Sequence, residues 1–147
     1  MKKLDWCLKQ KKGIRIIEPN DNLCKQYLKS AEENLNTMNK ISGKWRLITA
    51  YYACYEGLYA LLQKIGIKCE IHDCTLELLN SIEGFDNKLK EFITNLKRER
   101  IDTQYYLKAP KQIDEKKVKE FVTMCKSKIF SITEDEINLV RSKIKKL

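Results

Sequence analysis

The sequence predicts an all-α protein, an up-and-down four-helix bundle with short additional helices at both ends. Glycine and proline are scarce, with 5 and 2 copies in 147 residues, so the chain has few of the turns that a β-sandwich or barrel requires. Apolar residues recur at helical spacing in several long segments. We expect one domain over residues 1–147, with its core at about 14–130 and a C-terminal helix at 131–147.

Residues 43–66, GKWRLITAYYACYEGLYALLQKIG, predict a helix at the centre of the bundle. Two adjoining apolar stripes, spaced by three and four residues, cover most of its circumference. A membrane span is the alternative, but Arg46, Glu56 and Lys64 interrupt every apolar window of the length that a bilayer requires. The remaining arc carries small residues that let another helix backbone approach closely: Ala50, Ala53, Gly57 and Ala60.

The segments before this helix predict one short helix, an extended segment and one long helix. Residues 1–12 place leucines at helical spacing, whereas 14–19 form a β-branched run that ends in proline. A cap at Asn20 or Asp21 then starts a helix that runs to about residue 40. The loop to the central helix is short, so we expect the two helices to pack antiparallel.

Four further helices are predicted after the central one, the first of them short. A loop at 67–74 leads into a short helix, and a break at 81–85 separates it from a helix at about 89–106. Asp114 is a plausible cap for the next helix. The segment 133–136, Thr-Glu-Asp-Glu, has the form of a capping box and predicts the start of the last helix.

The net charge of +9 is concentrated at the two ends of the chain. Residues 1–15 carry +5, residues 137–147 carry +4, and the segment between them sums to zero. Basic ends suit an RNA backbone or an acidic partner, but they also keep a helical bundle in solution. Solubility is the favoured interpretation, because no aromatic residue except Trp6 alternates with the basic ones as base stacking requires.

The first residues, MKKLDWCLKQKKG, have charge on both sides of an apolar stretch that is too short for a secretory signal. We therefore expect a cytoplasmic protein with no membrane partner, whose six cysteines are reduced. Four of them lie on or near apolar helical faces, where cysteine acts as a small hydrophobic residue: Cys24, Cys54, Cys74 and Cys125.

Common catalytic motifs are missing from the sequence, including a P-loop, a dinucleotide fingerprint, a serine elbow and a metalloprotease motif. Cys69, His72 and Cys74 are three possible metal ligands in one loop, but no fourth ligand follows at finger-like spacing. We therefore expect no metal and no other cofactor. With one histidine in the chain, imidazole chemistry depends on His72.

The polar segment in which we most expect functional residues lies between residues 95 and 106. Arg98, Asp102 and Tyr105 share one helical face. Arg100 instead continues an apolar row, and we expect its guanidinium to reach a carboxylate or a second subunit from there. One interpretation is an exposed Arg98–Asp102 pair that contributes about 0.3 kcal/mol. The other is a contact point for phosphate or RNA, with arginine as bidentate donor and tyrosine as stacking or hydroxyl group.

The order of these features resembles the HEPN (higher eukaryote and prokaryote nucleotide-binding) domain family over about residues 14–130. The likeness rests on the run AYYACYEGLYALLQKIGI, the following Ile-His-Asp loop at 71–73, and the helix that ends in RERIDTQYY. The segment Ile-Glu-Pro-Asn at 17–20 is similar as well. The chain most resembles small stand-alone prokaryotic members that pair with a minimal nucleotidyltransferase. The resemblance implies a homodimer in which the arginine motifs of both subunits face a shared cleft.

Active members of the family are metal-independent ribonucleases with an arginine, a histidine four to six residues later, and often a tyrosine two further on. The resemblance assigns the arginine to Arg98 and the tyrosine to Tyr105, but Thr103 stands where the histidine would be. Without that histidine the general acid–base group is missing, unless the fold or the dimer brings His72 within reach. In some toxin–antitoxin pairs the nucleotidyltransferase adds AMP to the motif tyrosine, which makes Tyr105 a candidate modification site.

Three functional hypotheses follow. The first is a HEPN binding protein, a homodimer that acts with a nucleotidyltransferase partner or binds nucleotide or RNA. The second is a ribonuclease toxin with Arg98 and Tyr105 as catalytic residues, and the third is a structural helical adaptor. The candidate binding residues are Arg98, Arg100, Asp102, Tyr105 and His72.

Overall fold

The computed structural model describes residues 2–145 and confirms the all-α fold class. A 3-10 turn at Leu78–Ser81 follows α4. Two short strands, β1 (Arg15–Ile16) and β2 (Ile67–Lys68), pair antiparallel. The first lies in the segment predicted to be extended, whereas the second lies in the predicted loop at 67–74. The helices are α1 (Lys3–Lys9), α2 (Asp21–Met38), α3 (Lys44–Ile65), α4 (His72–Glu77), α5 (Asn87–Tyr106), α6 (Glu115–Ser131) and α7 (Glu134–Lys145).

Helix α3 is the centre of the bundle, as its apolar pattern predicts. Most of its side chains are buried, and α2, α5 and α6 pack around it. A Cβ atom built on Gly57 would lie 3.5 Å from Cβ of Cys125 in α6, so the small-residue arc does allow a close approach between helices. The helix ends at Gly66, whose φ of 92° is in the left-handed region. Within residues 2–145, no helix combines the length and apolar character needed to cross a membrane.

Side-chain caps start the long helices that surround α3. Asn20, Asp114 and Thr133 each accept a hydrogen bond from a backbone N–H in the first turn of α2, α6 and α7, which confirms the three predicted starts. Asp86, which the sequence analysis did not single out, caps α5 in the same way at 2.8 Å. These caps fix where each helix begins, and therefore which side chains face α3.

A guanidinium from α7 closes the C-terminal end of α3. Nη1 of Arg141 donates to the carbonyl oxygens of Ile17 at 2.7 Å, Ile65 at 3.2 Å and Gly66 at 2.9 Å. The last carbonyls of a helix have no partner within the helix, so a cation at this place satisfies them. The contact ties α7 to both α3 and the chain that follows β1.

The expectation that all six cysteines are reduced is wrong for two of them. Cys7 of α1 and Cys74 of α4 form a disulfide across 67 residues of sequence. No spacing rule reveals this pair, because packing of α1 on α4 brings the two residues together only in the folded chain. The other four cysteines are buried free thiols: Cys24, Cys54, Cys69 and Cys125.

Candidate functional site

Arg100 of α5 points into the bundle and packs on tyrosine rings. It continues the buried row of α5 and is only 5% exposed. Its guanidinium carbon lies 4.7 Å from the ring centre of Tyr51, 5.5 Å from that of Tyr52 and 5.7 Å from that of Tyr105. These distances are within the range of cation–π attraction. The guanidinium therefore has aromatic neighbours where the sequence analysis expected a carboxylate or a second subunit.

The hydrogen bonding of Arg100 is incomplete. Its Nη1 donates to Oε1 of Gln104 at 3.2 Å, whereas its Nε is buried and has no partner among residues 2–145. No acidic side chain of that range forms an ion pair with it. A buried cation that lacks a carboxylate is costly to keep in a fold, and it favours the arrival of an anion.

His72, the first residue of α4, lies on the same tyrosines. Its Nδ1 is 2.8 Å from the Tyr51 hydroxyl, and the two share a hydrogen bond whose direction follows the imidazole tautomer. Its ring stacks on Tyr55 at 4.0 Å between centres. Burial, followed by the positive charges of Arg100 and Lys97, lowers the pKa of His72 to about 4. The imidazole is therefore neutral at neutral pH.

Tyr51 and Tyr55 of α3 contribute hydroxyl groups that stay protonated. Burial raises the pKa of both Tyr51 and Tyr55 well above the ordinary value, although Arg100 partly opposes the shift at Tyr51. The Tyr55 hydroxyl shares a hydrogen bond with Oγ1 of Thr75 at 3.1 Å. One cation, neutral hydroxyls and a neutral imidazole thus form a group that we name the Arg100 cluster: Arg100, Tyr51, Tyr52, Tyr55, Tyr105 and His72.

An ion pair borders the Arg100 cluster on the side of α4. Nζ of Lys97 lies 2.7 Å from one oxygen of Asp73, and Nζ of Lys3 lies 3.8 Å from the other. The hydrogen bond from Lys97 is the main cause that lowers the pKa of the Asp73 carboxyl. The pair fixes α4 to α5, and it holds His72 over the tyrosines of α3.

The structure brings some of the predicted site residues together and leaves others apart. His72, Arg100 and Tyr105 belong to the Arg100 cluster. Arg98 is exposed and donates to Oδ1 of Asn95 at 3.1 Å. Asp102 lies 3.8 Å from Nζ of Lys108, so the anticipated Arg98–Asp102 pair does not form. Thr103 stands at the histidine position of the motif and is buried, with 3% of its surface exposed.

The sequence analysis treated α3 as core and named none of its tyrosines as site residues. The structure adds Tyr51, Tyr52 and Tyr55. One observation in the sequence pointed to them: several tyrosines lie on a helix that is apolar around most of its circumference, and buried hydroxyls require partners. The second observation was the position of Arg100 in an apolar row. A cation in such a row indicates aromatic neighbours, because aromatic rings are apolar groups that attract a cation.

The C-terminal end of α5 exposes apolar surface beside the Arg100 cluster. Tyr105, Tyr106 and Leu107 are 63%, 70% and 77% exposed. Leu107 ends the helix in the left-handed conformation, with a φ of 55°. Three consecutive exposed residues of this kind form a contact surface next to the guanidinium.

The possible metal ligands of the sequence do not assemble into a site within the described range. Cys74 is bonded to Cys7, and Cys69 Sγ faces the carbonyl oxygen of Ile71 at 3.4 Å. Among residues 2–145, no group of three or more His, Cys, Asp or Glu side chains is placed to hold a metal ion.

Comparison with known proteins gives one match. The model of the HEPN domain matches residues 24–135, which is well over half of the chain and extends from α2 to the first turn of α7. No curated protein matches the chain. No solved structure matches it.

Proposed function

Because this chain belongs to the HEPN domain family, we propose that it binds a nucleotide or RNA through the Arg100 cluster. The observation that carries the proposal is the state of Arg100, a cation that is only 5% exposed. Within residues 2–145 its Nε has no partner and no carboxylate pairs with it. Phosphate oxygens are the acceptors that a guanidinium binds in bidentate geometry. A phosphate group would therefore complete the contacts that the fold leaves open.

Tyr105 supplies the route to the guanidinium. Its ring lies 5.7 Å from the guanidinium carbon of Arg100, yet 63% of its surface is exposed. An exposed side chain changes rotamer on a fast timescale, so its rotation uncovers the cation at little cost. In the new position the ring is free to stack on a base. Arg98, two residues before Arg100, is exposed and adds a second positive charge for the phosphate backbone.

The pKa values of the cluster favour binding over cleavage. A general base works best when its pKa lies near the working pH, whereas the pKa of His72 is about 4 and burial keeps the Tyr51 hydroxyl protonated. Thr103 is buried at the position of the motif histidine. The ribonuclease alternative thus lacks an acid–base pair at neutral pH.

The proposal includes a homodimer, a nucleotidyltransferase partner and a cytoplasmic location. The two exposed residues that follow Tyr105, namely Tyr106 and Leu107, are the surface that we assign to the dimer contact, which leaves Tyr105 free. A dimer through this surface would bring the Arg98 side chains of both copies to one cleft. The exposed Tyr105 hydroxyl is also the acceptor that we propose for AMP. Light scattering tests the dimer, and intact mass after incubation with ATP and a candidate partner tests the modification.

Calorimetric titration with ADP or a dinucleotide tests the binding site. We expect Arg100→Met to weaken binding by about tenfold or more, because a hydrogen bond to a charged group is worth about 1.5–3 kcal/mol. Lys88→Met, at the exposed start of the same helix, removes the same charge and should bind like the wild type. Equal binding by wild type and Arg100→Met would refute the proposal.

A cleavage assay separates binding from catalysis. Labelled RNA is incubated with the wild type and with Arg98→Ala, in the presence of a chelator. We expect intact RNA in both samples. Cleavage by the wild type that Arg98→Ala abolishes would favour the ribonuclease instead, and absence of both a dimer and ligand binding would favour the structural adaptor.

A further inference from the structure

The N-terminal segment lies outside the part of the chain that matches the HEPN model, which starts at residue 24. Residues 2–15 contain six basic side chains and one acidic one, Asp5, so their net charge is +5. All six basic side chains are exposed: Lys2, Lys3, Lys9, Lys11, Lys12 and Arg15. A charge of this size on so short a segment attracts polyanions.

This segment is fixed against α4 and β2 and is not a loose tail. The disulfide from Cys7 to Cys74 joins α1 to α4, two residues after His72. β1 pairs with β2, and the N–H of Glu70 donates to the carbonyl oxygen of Lys12 at 2.9 Å. A segment that serves only to keep a protein in solution needs no such fixed position. The basic side chains therefore have a defined placement relative to the candidate site.

Trp6 provides an aromatic face at the boundary between this segment and the cluster. It is 44% exposed and lines a cavity of about 390 Å³ together with Lys3, Ile71 and Asp73. Ile71 and Asp73 are the chain neighbours of His72, so the cavity and the Arg100 cluster are connected through the start of α4. An exposed indole that borders a basic surface is the arrangement on which nucleic acid bases stack.

We propose that residues 2–15 extend the ligand site and bind single-stranded RNA, with a base stacked on Trp6 and phosphates along Lys9, Lys11 and Lys12. The proposal rests on the proposed function, because it takes the ligand at the Arg100 cluster to be a nucleotide of the same strand. Two of the acids nearby already have cations: Asp73 faces Lys97 and Lys3, and Glu70 faces Arg15. Asp5 forms no ion pair within residues 2–145, and the six basic side chains of the segment outnumber it.

Single-stranded RNA suits this surface better than an acidic peptide. Lys9, Lys11 and Lys12 form no ion pair within residues 2–145, and they are available for phosphates. A peptide carboxylate would use these lysines equally well, but an acidic side chain brings no aromatic ring to stack on Trp6. The bases of a single strand supply one planar group for each phosphate.

Fluorescence anisotropy with an oligouridylate about 12 nucleotides long measures the contribution of the lysines, since single-strand sites span about 4–16 nucleotides. The triple variant Lys9→Ala, Lys11→Ala, Lys12→Ala should make the negative slope of log affinity against log salt shallower by about 2, because each phosphate contact on a single strand contributes about −0.7. The matched control removes three exposed lysines of the α2 region, Lys25, Lys29 and Lys40, and should change the slope less.

Trp6 is tested separately from charge. Trp6→Leu keeps the apolar bulk but removes the aromatic face, and we expect it to weaken oligouridylate binding by about fivefold or more. Trp6→Phe should restore most of that loss. Neither variant should change binding of ADP, whose single base stacks on Tyr105 in the proposed function.

The outcomes separate this inference from the proposed function. Unchanged oligouridylate binding by the triple variant or by Trp6→Leu overturns the inference, as does equal affinity for a polyglutamate peptide. If Arg100→Met binds ADP like the wild type while the Trp6 and lysine effects persist, the Arg100 site is refuted and the N-terminal surface stands alone. A wild-type protein that does not bind the oligouridylate refutes the inference outright.

Discussion

The guanidinium carbon of Arg100 lies 4.7 Å from the ring centre of Tyr51, with both side chains buried. Taking the guanidinium out of water costs several kcal/mol. Cation–π attraction of about 2 kcal/mol compensates for only part of this cost. The fold therefore retains a group that a purely structural core would replace with an apolar side chain. Stability and binding should respond in opposite directions when Arg100 is changed.

Replacement of Arg100 by methionine tests this opposition. Methionine has similar length, makes favourable contacts with aromatic rings and needs no ion partner. We expect the free energy of unfolding of Arg100→Met to stay the same or to rise by about 1 kcal/mol, while ligand binding is lost. Urea unfolding followed by circular dichroism measures the first quantity. A loss of more than about 2 kcal/mol would show that Arg100 acts mainly in the fold.

The titration of His72 gives a second prediction. Because His72 is the only histidine in the chain, its imidazole resonance in an NMR pH titration is unambiguous. We expect a midpoint near pH 4, since burial and the charges of Arg100 and Lys97 lower the pKa of His72 to about 4. A midpoint near the ordinary value of about 6.5 would contradict the placement of His72 on the tyrosines.

The same shift in pKa makes stability depend on pH. The unfolded chain takes up the imidazole proton below about pH 6.5, whereas the folded chain does so only near pH 4, so stability falls as the pH drops through this interval. After discounting for the partial exposure of His72, we expect a loss of about 1–2 kcal/mol. His72→Asn removes this titration, and the difference between the two stability curves isolates it from the carboxylates.

The disulfide between Cys7 and Cys74 gives a third prediction. Alkylation of the unfolded, unreduced protein should add four groups, one for each free thiol, although the chain has six cysteines. Reduction should lower the free energy of unfolding by about 4 kcal/mol in the chain-entropy model, because the bond closes a loop of 67 residues. Cys7→Ser should be insensitive to reductant. Six added groups in protein taken directly from cells would indicate that a reducing compartment keeps Cys7 and Cys74 as free thiols.

The fold could be predicted from the sequence because its determinants are local. The apolar stripes of residues 43–66 and the caps at Asn20, Asp114 and Thr133 depend on neighbours within one or two turns. The site could be predicted only in part. His72, Arg100 and Tyr105 were named in advance, but periodicity cannot show that the first two meet on the same tyrosine.

Contacts between distant segments account for what the sequence did not reveal. The partners of Arg100 lie on α3, about 50 residues earlier in the chain, and a tyrosine on an apolar helix is equally typical of ordinary core. The disulfide likewise depends on how α1 packs on α4. Such pairs follow from tertiary packing, on which residue type and spacing carry little information.

Gly57 gives a final prediction about the packing that holds the site. Its added Cβ would be 3.5 Å from Cβ of Cys125, an ordinary van der Waals contact, so Gly57→Ala should gain helix propensity without a clash. We expect the free energy of unfolding to rise by about 0.5–1 kcal/mol, which is about 2–4 °C in melting temperature at most. Gly66→Ala is the contrasting variant, because φ is 92° there and the Cβ would lie 2.6 Å from the carbonyl oxygen of Ile17. It should lose about 2 kcal/mol or more. A lower melting temperature for Gly57→Ala would mean that α3 and α6 are packed more tightly than the structure indicates.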